Sequence, residues 1–344
     1  MRHSRIGEFE LIQRLRNATG IPRALRKTVL AGIGDDAAVL KTRSGRVLLA
    51  TTDVLVEHVH FDLACTTYRQ LGYKAATANL SDIAAMGGLP RFVLIAVAVT
   101  PRQSSRDVEA LYAGAHAACR RADAAIVGGD TSASRTDLFL SLVVLGEAEP
   151  SAVLRRSTAR AGDRLYVTGT LGDAQAGLEI LLARKEGRRR AATNARGAAY
   201  LTGRHLAPTA RLREAGRLAE ARLASAAIDL SDGLAGDVRR ICEESKVGCL
   251  IDTRQLPLSA PLIAHARAGR RDPIAYALGG GEDYELLFTV PPANVPRVET
   301  LIRRRVLRAT PIGTITPARR GLRLIGADGA IHPLSAKGYE HCVG

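Results

Sequence analysis

Apolar residues along this chain follow two rhythms, and aspartates gather where one rhythm gives way to the other. Short apolar or alternating runs predict strands over 46–52, 92–99, 124–127 and 138–146. The run at 92–99 is uninterrupted, the pattern of a strand covered on both faces. Spacings of three and four predict helices. Phe9, Ile12 and Leu15 share one side of 8–16, and Leu71, Ala75, Ala78 and Asp82 are in step through 68–86, with Gly87-Gly88 as the stop. Ser104 and Asp107 open another helix as a capping box, with Val108, Leu111, Tyr112, Ala115 and Cys119 as its buried stripe.

At 147–150 apolar content falls and a proline intervenes, which predicts two domains, 1–149 and 150–344. The second opens with a strand over 163–168, a glycine turn, and a helix running to about 185. Residues 186–196 are strongly charged and expected at the surface, and Pro208 is expected to start a helix at its favoured first position. A strand end, turn and helix follow over 229–245, and a glycine loop enters a strand over 279–289. Strands and helices mixed in this way predict an α/β (α+β) fold of two domains.

The chemistry sits at the ends of the strands. Gly128-Gly129-Asp130-Thr131 closes the run 124–127, and two glycines there allow a backbone to approach a ligand closely. The same grammar recurs in Gly34-Asp35-Asp36, Thr51-Thr52-Asp53 and Asp229-Leu230-Ser231-Asp232-Gly233, while Asp82 sits inside a predicted helix. So many carboxylates would repel one another if they converged, unless cations held them. Each aspartate alone reads equally as a turn or helix cap, but the set points to hard divalent metals, and Mg²⁺ bridges carboxylates to phosphates. No GxxxxGK[ST] loop, kinase signature or GxSxG elbow is present. Gly32, Gly34 and Ala37 match a dinucleotide-turn pattern, but two aspartates inside that turn would repel a pyrophosphate.

Composition narrows the partners. Apolar content is 46%, and no stretch approaches the roughly 20 apolar residues of a membrane span. Five cysteines without a CxxC pair argue against zinc and a disulfide scaffold; with no signal-peptide core after the basic start, they predict a cytoplasmic protein. The net charge of +15 is mostly scattered arginine, and aromatics are only 4%, so no base-stacking platform interleaves with it. The basic charge therefore reads as solvated faces, and nucleic acid is not an expected partner.

Taken in order, Gly34-Asp35-Asp36-Ala37-Ala38, Thr51-Thr52-Asp53, His60-Phe61, Asn79-Leu80-Ser81-Asp82-Ile83-Ala84-Ala85-Met86-Gly87, Gly128-Gly129-Asp130-Thr131, Val167 to Asp173, Ile228 to Gly233, Gly280 to Leu286 and Lys337-Gly338-Tyr339 span nearly the whole chain. This series resembles the thiamine-monophosphate kinase family, within the aminoimidazole-ribonucleotide synthetase and selenophosphate synthetase superfamily. The resemblance implies an aminoimidazole-ribonucleotide-synthetase-like fold whose N-terminal sheets pair in a homodimer. It implies ATP-dependent phosphorylation of thiamine monophosphate to thiamine diphosphate with several Mg²⁺ ions.

Carried residue by residue, it makes Asp36, Thr51, Thr52, Asp53, Asp82, Asp130, Asp229 and Asp232 metal ligands. Gly129, Asp130, Arg156 (or Arg155, in the adjacent register), Ser231 and Tyr112 become ATP contacts, with Asp130 and Arg156 acting in catalysis. Tyr112 reads equally as a core residue of its helix. His60, Glu282 and Tyr339 become substrate contacts. Two rivals remain: a sister enzyme that activates another acceptor with ATP, and a basic nucleic-acid-binding protein that makes no use of the aspartates.

Overall fold

A computed structural model describes residues 6–7, 27–32, 35–42, 45–187, 194–335 and 342–343. The expected helix at 8–16, the middle of the basic segment, Gly34 and Tyr339 lie outside them. In the N-terminal half β1 (Val29–Ala31), β2 (Ala38–Lys41), β3 (Val47–Val56), β4 (Leu89–Val99), β5 (Ala125–Ala133) and β6 (Phe139–Ala148) form one sheet in the order β1-β2-β3-β6-β4-β5. Only β4 and β5 run parallel, and α2 (Ser105–Arg121) is the crossover between them. Its capping box is present as expected, Ser104 with Asp107.

Helix α1 (Tyr68–Ala85) packs with α2 on one face of this sheet. Thr67 and Gln70 cap its start reciprocally, and the alanine-rich body lets it lie close to the strands. After its end, Gly87 turns at φ 69°, where a Cβ would meet Ala219 Cβ at 2.7 Å. Leu49, Ile95, Leu142 and Val144 meet Leu71, Ile83 and Leu111 in the core between sheet and helices.

Among the described residues no helix covers the other face of the sheet, which corrects the expectation for β4. Burial alternates along that strand, and Phe92 is 49% exposed. Its unbroken apolar run therefore marks one core face and one exposed apolar face, rather than helices on both sides.

The C-terminal half holds a second sheet of β7 (Arg164–Thr168), β8 (Ala226–Asp229), β9 (Val247–Asp252), β10 (Leu286–Val290), β11 (Ala309–Pro317), β12 (Leu322–Ile325) and β13 (Ile331–Pro333), ordered β13-β12-β9-β11-β7-β10-β8. Helix α3 (Asp173–Lys185) follows the glycine turn as expected. Next come α4 (Ala195–Leu206), α5 (Leu212–Glu220) and α6 (Leu234–Ser245). Pro208 does not start a helix. It stands just after α4, whose C-cap is Ala207, where proline prevents a helix from continuing. The halves meet through α1: Ala84 and Ala85 share a core with Leu218 and Ala219 of α5 and with Tyr166 and Phe288 of the second sheet. One helix thus belongs to both halves, and Asp82 lies on it at their junction.

Candidate active site

A cleft of about 1720 Å³ runs between the two halves, bordered by β3, α1, the β8–α6 turn and the loop before β10. A strand face, a helix, a strand end and a turn supply its acids. Thr51 and Asp53 leave the core face of β3, Asp82 projects from α1, Asp229 ends β8, and Ser231 and Asp232 occupy the turn before α6. Asp36, just before β2, meets Asp82 and Asp229, with one carboxylate oxygen from each within 4.8 Å of the others.

The cluster is electrostatically costly. Burial first, then Asp232 and Asp36, lift the Asp53 carboxyl to about 6. Asp82 is pushed well above the ordinary range by burial and by Asp53, Asp229 and Asp36, against a hydrogen bond from Thr51. Asp229 moves the same way through burial, Asp36 and Asp237, with a hydrogen bond from Ser81 opposing. The Thr51 hydroxyl donates to Asp82 Oδ2 at 2.6 Å, and the backbone N–H of Asp53 donates to Asn79 Oδ1 at 3.0 Å, which ties β3 to α1 beside the acids. Buried, mutually repelling and oxygen-only, this donor set fits a hard divalent cation.

Cations of the chain already meet two of these acids. Arg156 places Nε 3.1 Å from Asp36 Oδ2 and Nη2 2.5 Å from Oδ1. Burial would lower the Arg156 pKa, but the Asp36 carboxylate outweighs it and raises the value. This pairing belongs to Arg156, not to the neighbouring Arg155. Arg240 of α6 bonds Asp232 and lies 3.2 Å from Asp237 Oδ1. At the other end of the cleft His60 accepts a 3.0 Å hydrogen bond from Val56 N, and Glu282 meets Lys74 and His205.

Four expected residues are not gathered here. β5 does not stop at its glycines but runs through them to Ala133 at the sheet edge. Gly129 is required by the sheet itself, because a Cβ there would lie 1.9 Å from Ile95 O. Asp130 pairs beside Ala96, which pairs with Ser141, which pairs with Val54. Neighbours in one row share a face, so Asp130 points to the open face, whereas Asp53 lies in the adjacent row with Leu142 and Ile95 on the core face. Thr52 borders the cleft, yet its hydroxyl is exposed on that open face, 3.5 Å from Ser141 Oγ. Tyr112 is half-buried in α2, packs on the N-terminal core and donates to Ile95 O at 3.3 Å. Among the described residues the dinucleotide-like turn leads into β2 rather than a helix, so it lacks that motif's context.

Lys74, His205, Asp237 and Arg240 were not singled out from the sequence. The first had a signal: Lys74, Ala78 and Asp82 recur every fourth residue and share one helix face.

Comparison with known proteins agrees along the chain. Residues 34–148 match the AIR synthase related protein, N-terminal domain, and residues 160–324 match its C-terminal domain. Thiamine-monophosphate kinase of Escherichia coli (strain K12) is 38% identical over 335 residues, covering 97% of this chain and 98% of that protein. The Bacillus subtilis (strain 168) enzyme of that name is 32% identical, over 97% and 99%. A solved structure described as AaThiL complexed with AMPPCP and TMP superposes with a TM-score of 0.83 at 35% identity, covering 99% of this chain and 100% of that one. The chain belongs to the thiamine-monophosphate kinase family of AIR synthase related proteins.

Proposed function

We propose that this chain transfers a phosphoryl group from ATP to thiamine monophosphate, giving thiamine diphosphate, the last step in making that cofactor. The carrying observation is the carboxylate cluster of Asp36, Asp82 and Asp229 in a cleft whose fold matches a kinase structure with AMPPCP, an ATP analogue, and TMP. Asp36, Thr51, Asp53, Asp82, Asp229 and Asp232 would hold several Mg²⁺ ions. The chemistry magnesium supplies when bound is neutralisation of charge on the transferred phosphoryl.

The chain's own part is alignment. The acceptor phosphate is already ionised at neutral pH, so no side chain need remove a proton, and transfer proceeds directly in line. Arg156 and Ser231 bind the nucleotide phosphates, and Arg156 offsets developing charge. His60 and Glu282, with Tyr339, hold the thiamine end.

The reading includes a homodimer, units 1–149 and 150–344, and a cytoplasmic location. The open face of the first sheet supports pairing: Val54 on β3 and Leu89 and Phe92 on β4, the two strands that flank β6, stand 44%, 41% and 49% exposed, apolar positions that a second copy would cover. Gly129 and Asp130 lie on the edge strand of that sheet, so their part in nucleotide and metal binding depends on the pairing. Among the described residues no helix is long and apolar enough to cross a membrane.

The test is ATP-dependent turnover of thiamine monophosphate by purified protein, with and without Mg²⁺. Chelator should abolish turnover while the melting transition persists, because the cluster lines a cleft and not the core. Full turnover in excess chelator, or none with Mg²⁺ present, would reject the reading.

A further inference from the structure

At the end of the cleft away from the carboxylate cluster lies a second charged group. Lys74 of α1 is almost wholly buried, with Nζ 2.6 Å from Glu282 Oε1 and 3.3 Å from His205 Nε2. His205, on α4, brings Nδ1 to 3.1 Å from the other oxygen, Oε2, off the line of a good hydrogen bond. Three segments from both halves of the chain thus converge on one carboxylate.

Its geometry needs holding. Glu282 has φ 66°, a left-handed backbone that costs a non-glycine residue strain unless its surroundings fix it. All three residues line the cleft, but the Lys74 side chain is 7% exposed and that of Glu282 31%, so Glu282 presents the larger surface to it. Burial alone would raise the Glu282 carboxyl; Lys74 beside it outweighs this and holds it at about 2.

Charge decides what this group can bind. Asp36, Asp82 and Asp229 crowd three carboxylates together and call for cations. Here one ammonium matches one carboxylate, so the group offers hydrogen-bond acceptor positions without a net demand for a metal. Lys74 and Asp82 share a helix face eight residues apart, which at 1.5 Å per residue is about 12 Å along the axis. One rigid helix therefore sets the distance between the cation-demanding end and the acceptor end.

We infer that Lys74 is a positioning residue which, with His205, fixes the Glu282 carboxylate as an acceptor for an amino-bearing heteroaromatic ring at the organic end of the acceptor phosphate. The inference rests on the proposed kinase reading and deepens it. Lys74 acts through Glu282 and sets specificity for the organic acceptor, with no contact to the phosphates.

Steady-state kinetics on the full chain test it. Lys74→Met should raise KM for thiamine monophosphate about tenfold, the scale of one charge-assisted hydrogen bond, and change KM for ATP by about twofold at most. Lys74→Arg should recover most of the loss. Lys74→Met combined with Glu282→Gln should be no worse than Glu282→Gln alone, because both act on one contact. His205→Asn should show the same KM split more weakly, and it serves if Lys74→Met does not fold. An active wild type whose variants lose both KM values equally, or whose double variant is additive, overturns the inference alone. A wild type inert toward thiamine monophosphate overturns the kinase reading, and the inference with it.

Discussion

Arg156 grips Asp36 with two guanidinium nitrogens, at 3.1 Å and 2.5 Å from its two carboxylate oxygens. The Asp36 side chain is fully buried, so this pair is the cluster's internal counter-ion. One positive charge does not match the acids around it. Asp53, Asp82 and Asp229 keep their carboxyls raised, and the imbalance is what bound cations would relieve.

The imbalance predicts an unusual pH dependence. Asp53 titrates at about 6 and Asp35 and Asp237 at about 7, and burial with like charges raises Asp82 and Asp229 as well, all above the ordinary Asp value of about 3.9. Between these limits the folded chain binds more protons than the unfolded one, so stability falls as pH rises. His205, lowered by burial and Lys74, works in the opposite sense but is a single group. Glu282, lowered to about 2, contributes stability that is lost only as pH falls below its unfolded value, under this window. Metal-free protein should therefore melt lower at pH 8 than at pH 5.5, by about 2 °C or more, and Mg²⁺ should remove the difference. A melting temperature that rises with pH in chelator would contradict the cluster's electrostatics.

How far the sequence reveals this site depends on what each signal measures. Apolar runs ending at aspartates located Asp229 at a strand end, but the run before Asp53 continues as strand through it to Val56, so Asp53 faces the cleft from within β3. Which face a residue takes is not local. Asp130 sits on the open face because of pairing with Ala96 and Ser141, partners that its own strand does not name. The glycine pair reads as a strand end, but the strand runs through it and Gly129 serves close packing against Ile95. Pro208 fits both the start of one helix and the stop of another, and only the presence of α4 decides. Lys74 reads as an ordinary helix-surface lysine until Glu282, over two hundred residues away, closes on it.

Asp82→Asn and Asp130→Asn should separate the two environments. Asp82 is buried among like charges, so its neutral variant should melt higher without metal and lose at least ~100-fold in kcat. Asp130 is exposed on the edge strand, so its variant should leave the metal-free melting temperature unchanged while activity still falls by about the same factor. Unchanged kcat for Asp130→Asn would remove it from the site.

Phe92→Lys probes the open sheet face. A lysine in the face proposed to pair would leave an unpaired buried charge there, so light scattering should show the protein shifting to half its mass. Turnover should fall with it, since the roles proposed for Gly129 and Asp130 depend on the pairing. A variant of unchanged mass would place the contact elsewhere.

Arg156→Gln tests the counter-ion itself. Removing one partner of a buried ion pair leaves the other charged and unsolvated, a loss on the order of 3 kcal/mol. Here the stranded group is Asp36, already beside Asp82 and Asp229, so it cannot lean on a neighbour for compensation. The variant should melt well below wild type in chelator at pH 8. It has two routes to recovery. Lowering the pH protonates the raised carboxyls of Asp82 and Asp229 beside it and restores stability without any metal. Adding Mg²⁺ at pH 8 replaces the lost charge, so the variant should gain more in melting temperature from Mg²⁺ than wild type does. Catalysis should not recover with stability, because a cation held by Asp36 would not replace the guanidinium proposed to contact the nucleotide phosphates. If Mg²⁺ stabilises both proteins equally, Arg156 and the metal do not share Asp36, and the arginine is a structural clamp. If turnover returns along with stability, its proposed contact with ATP is wrong.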